Sequence, residues 1–97
     1  MIFQYEEERI YAEDENGTLL AEITFPEAAD GKVDINHTFV APSLRGQGVA
    51  GELVRAALQQ IAETGKQPLA TCPYAAQWFE NHPEELKNLF GSMEKSF

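Results

Sequence analysis

The 97-residue sequence has one cysteine, one tryptophan and only seven Lys and Arg residues. The lone Cys72 forbids an internal disulfide and cannot build a cysteine-rich zinc site, which sets a reducing, cytoplasmic location as the expectation. His37 and His82 stand far apart and fit no metal-ligand spacing, so no metal is expected. Sixteen Asp and Glu give a formal charge of −9. So few cations exclude a phosphate-tracking nucleic-acid partner and an anionic membrane surface. Residues Met1 to Glu8 lack the basic start and apolar run of a signal peptide, and nothing later approaches the roughly 18 apolar residues of a membrane span. A chain of this length buries about 60–68% of its unfolded surface, enough for one core. A single domain over residues 1–97 is expected.

The first 40 residues read as a meander of antiparallel strands. Asn16-Gly17 is a hairpin signal, because both residue types tolerate the positive φ of tight primed turns, and it links Arg9–Glu13 to Thr18–Phe25. In the second strand Leu19, Ala21, Ile23 and Phe25 alternate with Leu20, Glu22 and Thr24, the period of a half-buried strand. Pro26 ends it, and Asp30-Gly31 marks a further turn. Lys32–Val40 then alternates, with Val33, Ile35, His37 and Phe39 on one face.

From Gly46 the period changes. Val49, Ala50, Leu53, Val54, Ala57, Leu58, Ile61 and Ala62 recur every three or four residues, predicting an amphipathic helix of about 18 residues, with Gly65 placed to cap it. Pro68–Cys72 is short and apolar enough for a buried strand. A strand, helix, strand order implies parallel pairing of Lys32–Val40 with Leu69–Cys72. Two short helices follow, Tyr74–Asn81 and Glu84–Phe90, divided at His82-Pro83. The expected class is α+β: an antiparallel meander ending in a βαβ unit with a parallel strand pair and short C-terminal helices.

Chemistry concentrates in Val40-Ala41-Pro42-Ser43-Leu44-Arg45-Gly46-Gln47-Gly48-Val49-Ala50-Gly51, where a strand feeds a loop and then a helix N-terminus. Backbone N–H groups there lack internal partners, the helix dipole adds positive potential, and glycines admit a close anion. Arg45 adds a fixed charge. A nucleotide-hydrolysing P-loop is excluded, since no Lys and Ser/Thr follow the glycines. Gly46-x-Gly48-x-x-Gly51 matches the dinucleotide pattern in form alone. Five residues precede its first glycine, no acid ends the next strand, and the chain is too short for a doubly wound sheet.

Arg45-Gly46-Gln47-Gly48-Val49-Ala50 resembles the Arg/Gln-x-x-Gly-x-Gly/Ala signature of the GCN5-related N-acetyltransferases (GNAT). The strand order is also similar, and the resemblance spans roughly residues 5–85. His37-Thr38-Phe39-Val40 and Cys72-Pro73-Tyr74 resemble the small branch that includes animal N-acetyltransferase domain-containing protein 1. The resemblance implies a minimal GNAT-like fold and acetyl-CoA as acyl donor. Its pyrophosphate would lie on Arg45, Gly46, Gln47, Gly48, Val49 and Ala50, and its pantetheine arm beside the backbone of Phe39 and Val40. A standard GNAT domain carries two further helices after its first strand, which help to form the acceptor site. Here Ile10–Glu13 passes straight to the next strand, so the donor half is complete and the acceptor half truncated.

The catalytic candidates are Cys72, His37 and Tyr74. Cys72 is a nucleophile that carries the acetyl group, a lining residue of the thioester site, or a small buried hydrophobe. His37 is a partly buried, hydrogen-bonded histidine, or a general base whose unperturbed chemistry suits an ammonium acceptor. Tyr74 either protonates the departing CoA thiolate, as a tyrosine does in many GNAT enzymes, or packs in the core. Trp78 and Phe79 read as core. The expected activity is N-acetylation of a small or peptidyl amine by direct transfer, with a CoA-binding module of inefficient turnover as the alternative.

Charge is unevenly spread. Residues 1–34 hold ten acids against Arg9 and Lys32, whereas residues 35–79 hold Glu52 and Glu63 against Arg45, Arg55 and Lys66. The anionic donor would meet a locally neutral-to-basic unit, and the acidic meander is left to attract a cationic amine.

Overall fold

Local turn chemistry sets the strand order of the structure, a computed structural model that describes residues 1–91; residues 92–97 of the expected domain lie outside the described residues. Strands β1 (Gln4–Glu6), β2 (Arg9–Glu13) and β3 (Leu19–Thr24) form a meander. The β2–β3 connection is wider than the two-residue primed turn that Asn16-Gly17 predicts. Asp14 Oδ1 accepts the N–H groups of both Asn16 and Thr18, at 2.8 and 2.9 Å. That stitching leaves Gly17 as the one loop residue at positive φ, +83°.

Strands β4 (Glu27–Ala29) and β5 (Lys32–Ile35) flank the Asp30-Gly31 turn, and β6 (His37–Val40) follows at once. After a 3₁₀ turn at Pro42–Leu44 come α1 (Val49–Glu63), β7 (Gln67–Ala70), α2 (Pro73–Asn81) and α3 (Pro83–Phe90). The chain is α+β, with a four-stranded antiparallel sheet in the order β1-β2-β3-β6 and a mixed sheet in the order β4-β5-β7. In the second sheet β5 and β7 run parallel, Lys32 opposite Gln67 and Ile35 opposite Ala70. Helix α1 is 15 residues long, shorter than its periodicity predicts, because Gly46 to Gly48 form the entry loop.

One expectation fails in an informative way. Lys32–Val40 is two strands in two sheets, and only the first half pairs with β7. The break is a bulge at Asn36. Asn36 N–H donates to the Thr24 carbonyl at 3.2 Å, and His37 is also registered opposite Thr24, so two residues face one. The extra residue reverses the alternation. Val33 and Ile35 point into the core, but beyond the bulge Thr38 and Val40 share the face of buried Ile23 and Ala21. His37 and Phe39 are thereby turned to the opposite face, contrary to the pattern that grouped them with Val33 and Ile35.

The core lies between the inward face of the strands and α1, which buries Val49, Leu53, Val54, Ala57, Leu58 and Ile61 against Ile10, Ala21, Ile23 and Ile35. Trp78, Phe79 and Leu86 close its other side from α2 and α3. Each fully buried aliphatic side chain contributes about 1.5–3 kcal/mol by leaving water. Arg55 of α1 grips Glu85 of α3 through Nε and Nη2, at 2.7 and 3.0 Å.

Candidate active site

The two sheets separate at a definite place. Asp34 closes the parallel pair by accepting from the Thr71 N–H at 2.9 Å and the Thr71 hydroxyl at 2.7 Å, and the Cys72 N–H donates to the Ile35 carbonyl at 3.1 Å. Past that bond β6 turns away to β3 while the other chain enters α2. The hydrogen-bond ladder therefore has a gap between β6 and the start of α2.

Backbone direction in β6 follows from its ladder. Ala41 N–H donates to the Leu20 carbonyl, at 2.8 Å. By antiparallel alternation, Phe39 and His37 then direct their backbone groups to β3, whereas Thr38 and Val40 turn theirs to the free edge beside the gap. Of the two residues expected beside a pantetheine arm, Val40 turns its backbone to the edge that faces away from β3 and Phe39 turns its own to β3; Thr38 shares the orientation of Val40.

The loop after β6 is stitched to itself. Arg45 Nε donates to the Val40 carbonyl at 3.2 Å, and Gln47 Nε2 donates to the Ser43 carbonyl at 3.3 Å. Gly46 and Gly48 adopt φ of +83° and +81°, and a Cβ at either would meet no neighbour within 4 Å. Glycine serves backbone conformation here and leaves open space above the loop. Gly48 caps α1 without any side-chain hydrogen bond, so the N–H groups of Val49, Ala50 and Gly51 have no intrahelical acceptor. The Val49 side chain is buried in the core, leaving only its backbone for the loop.

Cys72 is the residue before α2 and lies past the end of β7, 7% exposed. Its Sγ lies 3.4 Å from Thr38 Oγ1 across the gap. Burial opposes ionisation of the thiol, but hydrogen bonds from the Thr38 side chain and from the N–H groups of Ala75, Tyr74 and Thr38 outweigh it and hold the thiol below its ordinary value. Tyr74 is 41% exposed, so it is not the core residue that one reading of the sequence allowed. Its hydroxyl, with Trp78 Nε1, faces Gly51 of α1, 3.7 and 3.6 Å from where a Cβ would stand. Gly51 thus lets the first turn of α2 approach the first turns of α1, next to the glycine loop.

His37 does not meet Cys72. It lies on the outer face, half exposed, with Nε2 3.2 Å from Glu22 Oε1. Thr38, the next residue, points the other way to the thiol. A cleft of about 510 Å³ is lined by Glu6, Glu7, Glu8, Arg9, Thr24, Pro26 and Asn36, of which Thr24 is registered opposite His37 and Asn36 precedes it, while His37 itself is not part of the lining. Among the described residues no group of three or more His, Cys, Asp or Glu is placed to hold a metal, and no helix is long and apolar enough to cross a membrane.

A family model described as GCN5-related N-acetyl-transferase matches residues 9–89, across both sheets, the loop and all three helices. The chain belongs to the GCN5-related N-acetyltransferase family. A solved GCN5-like protein from Staphylococcus aureus is 30% identical to it with a TM-score of 0.71, covering 87% of this chain and 82% of that one. An acetyltransferase-family protein from Streptococcus pneumoniae shares the fold at 22% identity and a TM-score of 0.53, over 87% of this chain and 64% of its own. Another, assigned as a phosphinothricin N-acetyltransferase, gives 24% identity and a TM-score of 0.60, over 81% of this chain and 54% of that one. The chain therefore spans about half to two thirds of the two more distant structures. Among curated proteins none matches. The GNAT fold here lacks helices between β2 and β3, whose connection is the short Asp14 loop.

Proposed function

We propose that the chain is a single minimal GNAT domain that transfers an acetyl group from acetyl-CoA to an amine. One observation carries the reading: the edge of β6 away from β3 leads, through the 3₁₀ turn at Pro42–Leu44, into a two-glycine loop that ends on the N-terminus of α1, which no side chain caps. The residues fit the donor. Free N–H groups of Val49, Ala50 and Gly51 and the Arg45 guanidinium suit a pyrophosphate, and the Thr38 carbonyl and Val40 N–H at the β6 edge suit the amides of a pantetheine arm.

Bound acetyl-CoA supplies an activated thioester, and the chain's residues supply orientation and proton transfer. His37 takes a proton from the acceptor ammonium on the outer face of the sheet, and the freed amine then attacks the acetyl carbon at the gap. A backbone N–H at the gap stabilises the charge that develops on the carbonyl oxygen. Carbon–sulfur cleavage releases a thiolate, which the Tyr74 hydroxyl protonates, and the second proton, shed by the nitrogen as it becomes an amide, returns through solvent to the Tyr74 oxygen. Transfer is direct. His37 sits on the face opposite Cys72, and among the described residues no Lys or Arg is paired with the thiol, which favours Cys72 as a lining residue of the thioester site over a nucleophile. The acidic cleft of Glu6, Glu7 and Glu8 beside His37 suits a cationic amine, small or peptidyl.

A thermal-shift panel tests the donor. Acetyl-CoA or CoA at 100 times its Kd stabilises by about 2.7 kcal/mol, roughly 10–20 °C for a domain this small. A midpoint that moves with NAD(P) or ATP but with neither CoA species overturns the proposal. Thiol release over an amine panel then separates an enzyme from the alternative, a CoA-binding module without efficient turnover.

A further inference from the structure

The geometry points to Glu22 as the positioning residue for His37, an inference that rests on the proposed role of His37 as base. A diagonal of charge crosses three strands on the outer face of the sheet. Arg9 of β2 donates from Nε to Glu22 Oε2 of β3 at 2.6 Å, and Glu22 Oε1 lies 3.2 Å from Nε2 of His37 in β6. Arg9 is itself held, its guanidinium 3.7 Å above the Tyr11 ring and 3.7 Å from Glu6. Glu22 is therefore fixed from one side and meets His37 from the other. Its side chain is only 18% exposed, against 50% for that of His37.

The carboxylate can only accept, so it selects the tautomer with the proton on Nε2 and leaves the Nδ1 lone pair for the acceptor. The bulge at Asn36 makes this possible. Without the extra residue His37 would face inward with Val33 and Ile35, away from Glu22. The pairing thus exists only because the strand changes face one residue before the histidine. A carboxylate that fixes the orientation of an imidazole base while remaining ionised is an established way to position such a group.

The test is a double-mutant cycle with Glu22→Ala and His37→Ala, read as thiol release from acetyl-CoA with spermidine, a lysine-bearing peptide and an aromatic amine, alongside circular dichroism for folding. If Glu22 acts through His37, Glu22→Ala lowers kcat about ten- to hundredfold without changing KM for acetyl-CoA. It has no further effect in the His37→Ala background, and Glu22→Gln, which keeps an acceptor oxygen, restores part of the rate. ¹⁵N spectra of the His37 ring shift toward the free-imidazole tautomer mixture in Glu22→Ala. Independent, additive losses, or an unchanged ring spectrum, overturn the inference while leaving His37 as base intact. A harmless His37→Ala, or a wild type inert toward every amine, overturns the base itself and this inference with it.

Discussion

Thr38 Oγ1 and Cys72 Sγ stand 3.4 Å apart, joining β6 to the N-terminus of α2 across the gap where the two sheets part. Four hydrogen bonds converge on that sulfur and together outweigh its burial, so its thiolate forms at lower pH than that of an ordinary cysteine.

Thr38→Val removes one of those hydrogen bonds and moves the titration of Cys72 upward. With one cysteine in the chain, absorbance at 240 nm against pH reads it directly. The sign for stability follows from linkage. A lowered folded value makes the thiolate's contribution complete above the unfolded value of about 8.5, and it fades as pH falls through the folded value. The variant therefore loses most stability at alkaline pH. An equal loss at pH 6 and pH 9 would mean that the contact works through packing alone.

Gly48→Ala strains a residue held at φ +81°, at a cost of about 1–3 kcal/mol. The loop's donors shift with it, and acetyl-CoA affinity falls about tenfold or more, since each 1.4 kcal/mol is tenfold in binding. Urea denaturation and titration calorimetry measure the two effects. Unchanged affinity in a folded variant would remove the loop from the donor site.

Neutralising the acidic cleft with Glu6→Gln and Glu7→Gln raises KM for a cationic acceptor, by about three- to tenfold at low salt, and flattens its ionic-strength dependence. A neutral amine keeps its KM. Equal effects on both amines would show that the cleft does not select charge.

Leu53→Ala leaves a cavity where α1 meets the sheets, because Leu53 is fully buried. The expected loss is about 2–5 kcal/mol by urea denaturation. A loss under 1 kcal/mol would contradict the packing described for α1.

Much of this molecule is written in local patterns. The three- and four-residue recurrence from Val49 to Ile61, the Asp30-Gly31 turn and the His82-Pro83 boundary each act over a few residues, and each appears where its chemistry places it. What escaped was non-local. Nothing in Val33-Asp34-Ile35-Asn36-His37 announces a bulge, since unbroken alternation reads equally well. The choice is made by Thr24, twelve residues earlier, whose hydroxyl bonds Asn36 Oδ1 and whose carbonyl takes the Asn36 N–H. Strand β1 and its Glu7-Glu8 turn likewise lack turn residues, and are held by Gln60 of α1 donating to the Glu6 and Glu7 carbonyls. The two-glycine loop was legible because glycine spacing is local. The partners of His37 and Cys72 were not, because Glu22 and Thr38 reach them from other strands.

Among the described residues β6 is laddered to β3 alone, so no strand pairs along its other side, where Thr38 meets Cys72 and the Val40 carbonyl accepts from Arg45. A bare strand edge is a template on which any neighbouring chain can add itself. Thr38 and Val40, whose edge groups are proposed to seat the donor, are then also where self-association would begin in a concentrated, ligand-free solution. Shelf life and purification yield become matters of cofactor supply, because a molecule lying along that edge occupies the groups that a second chain would need.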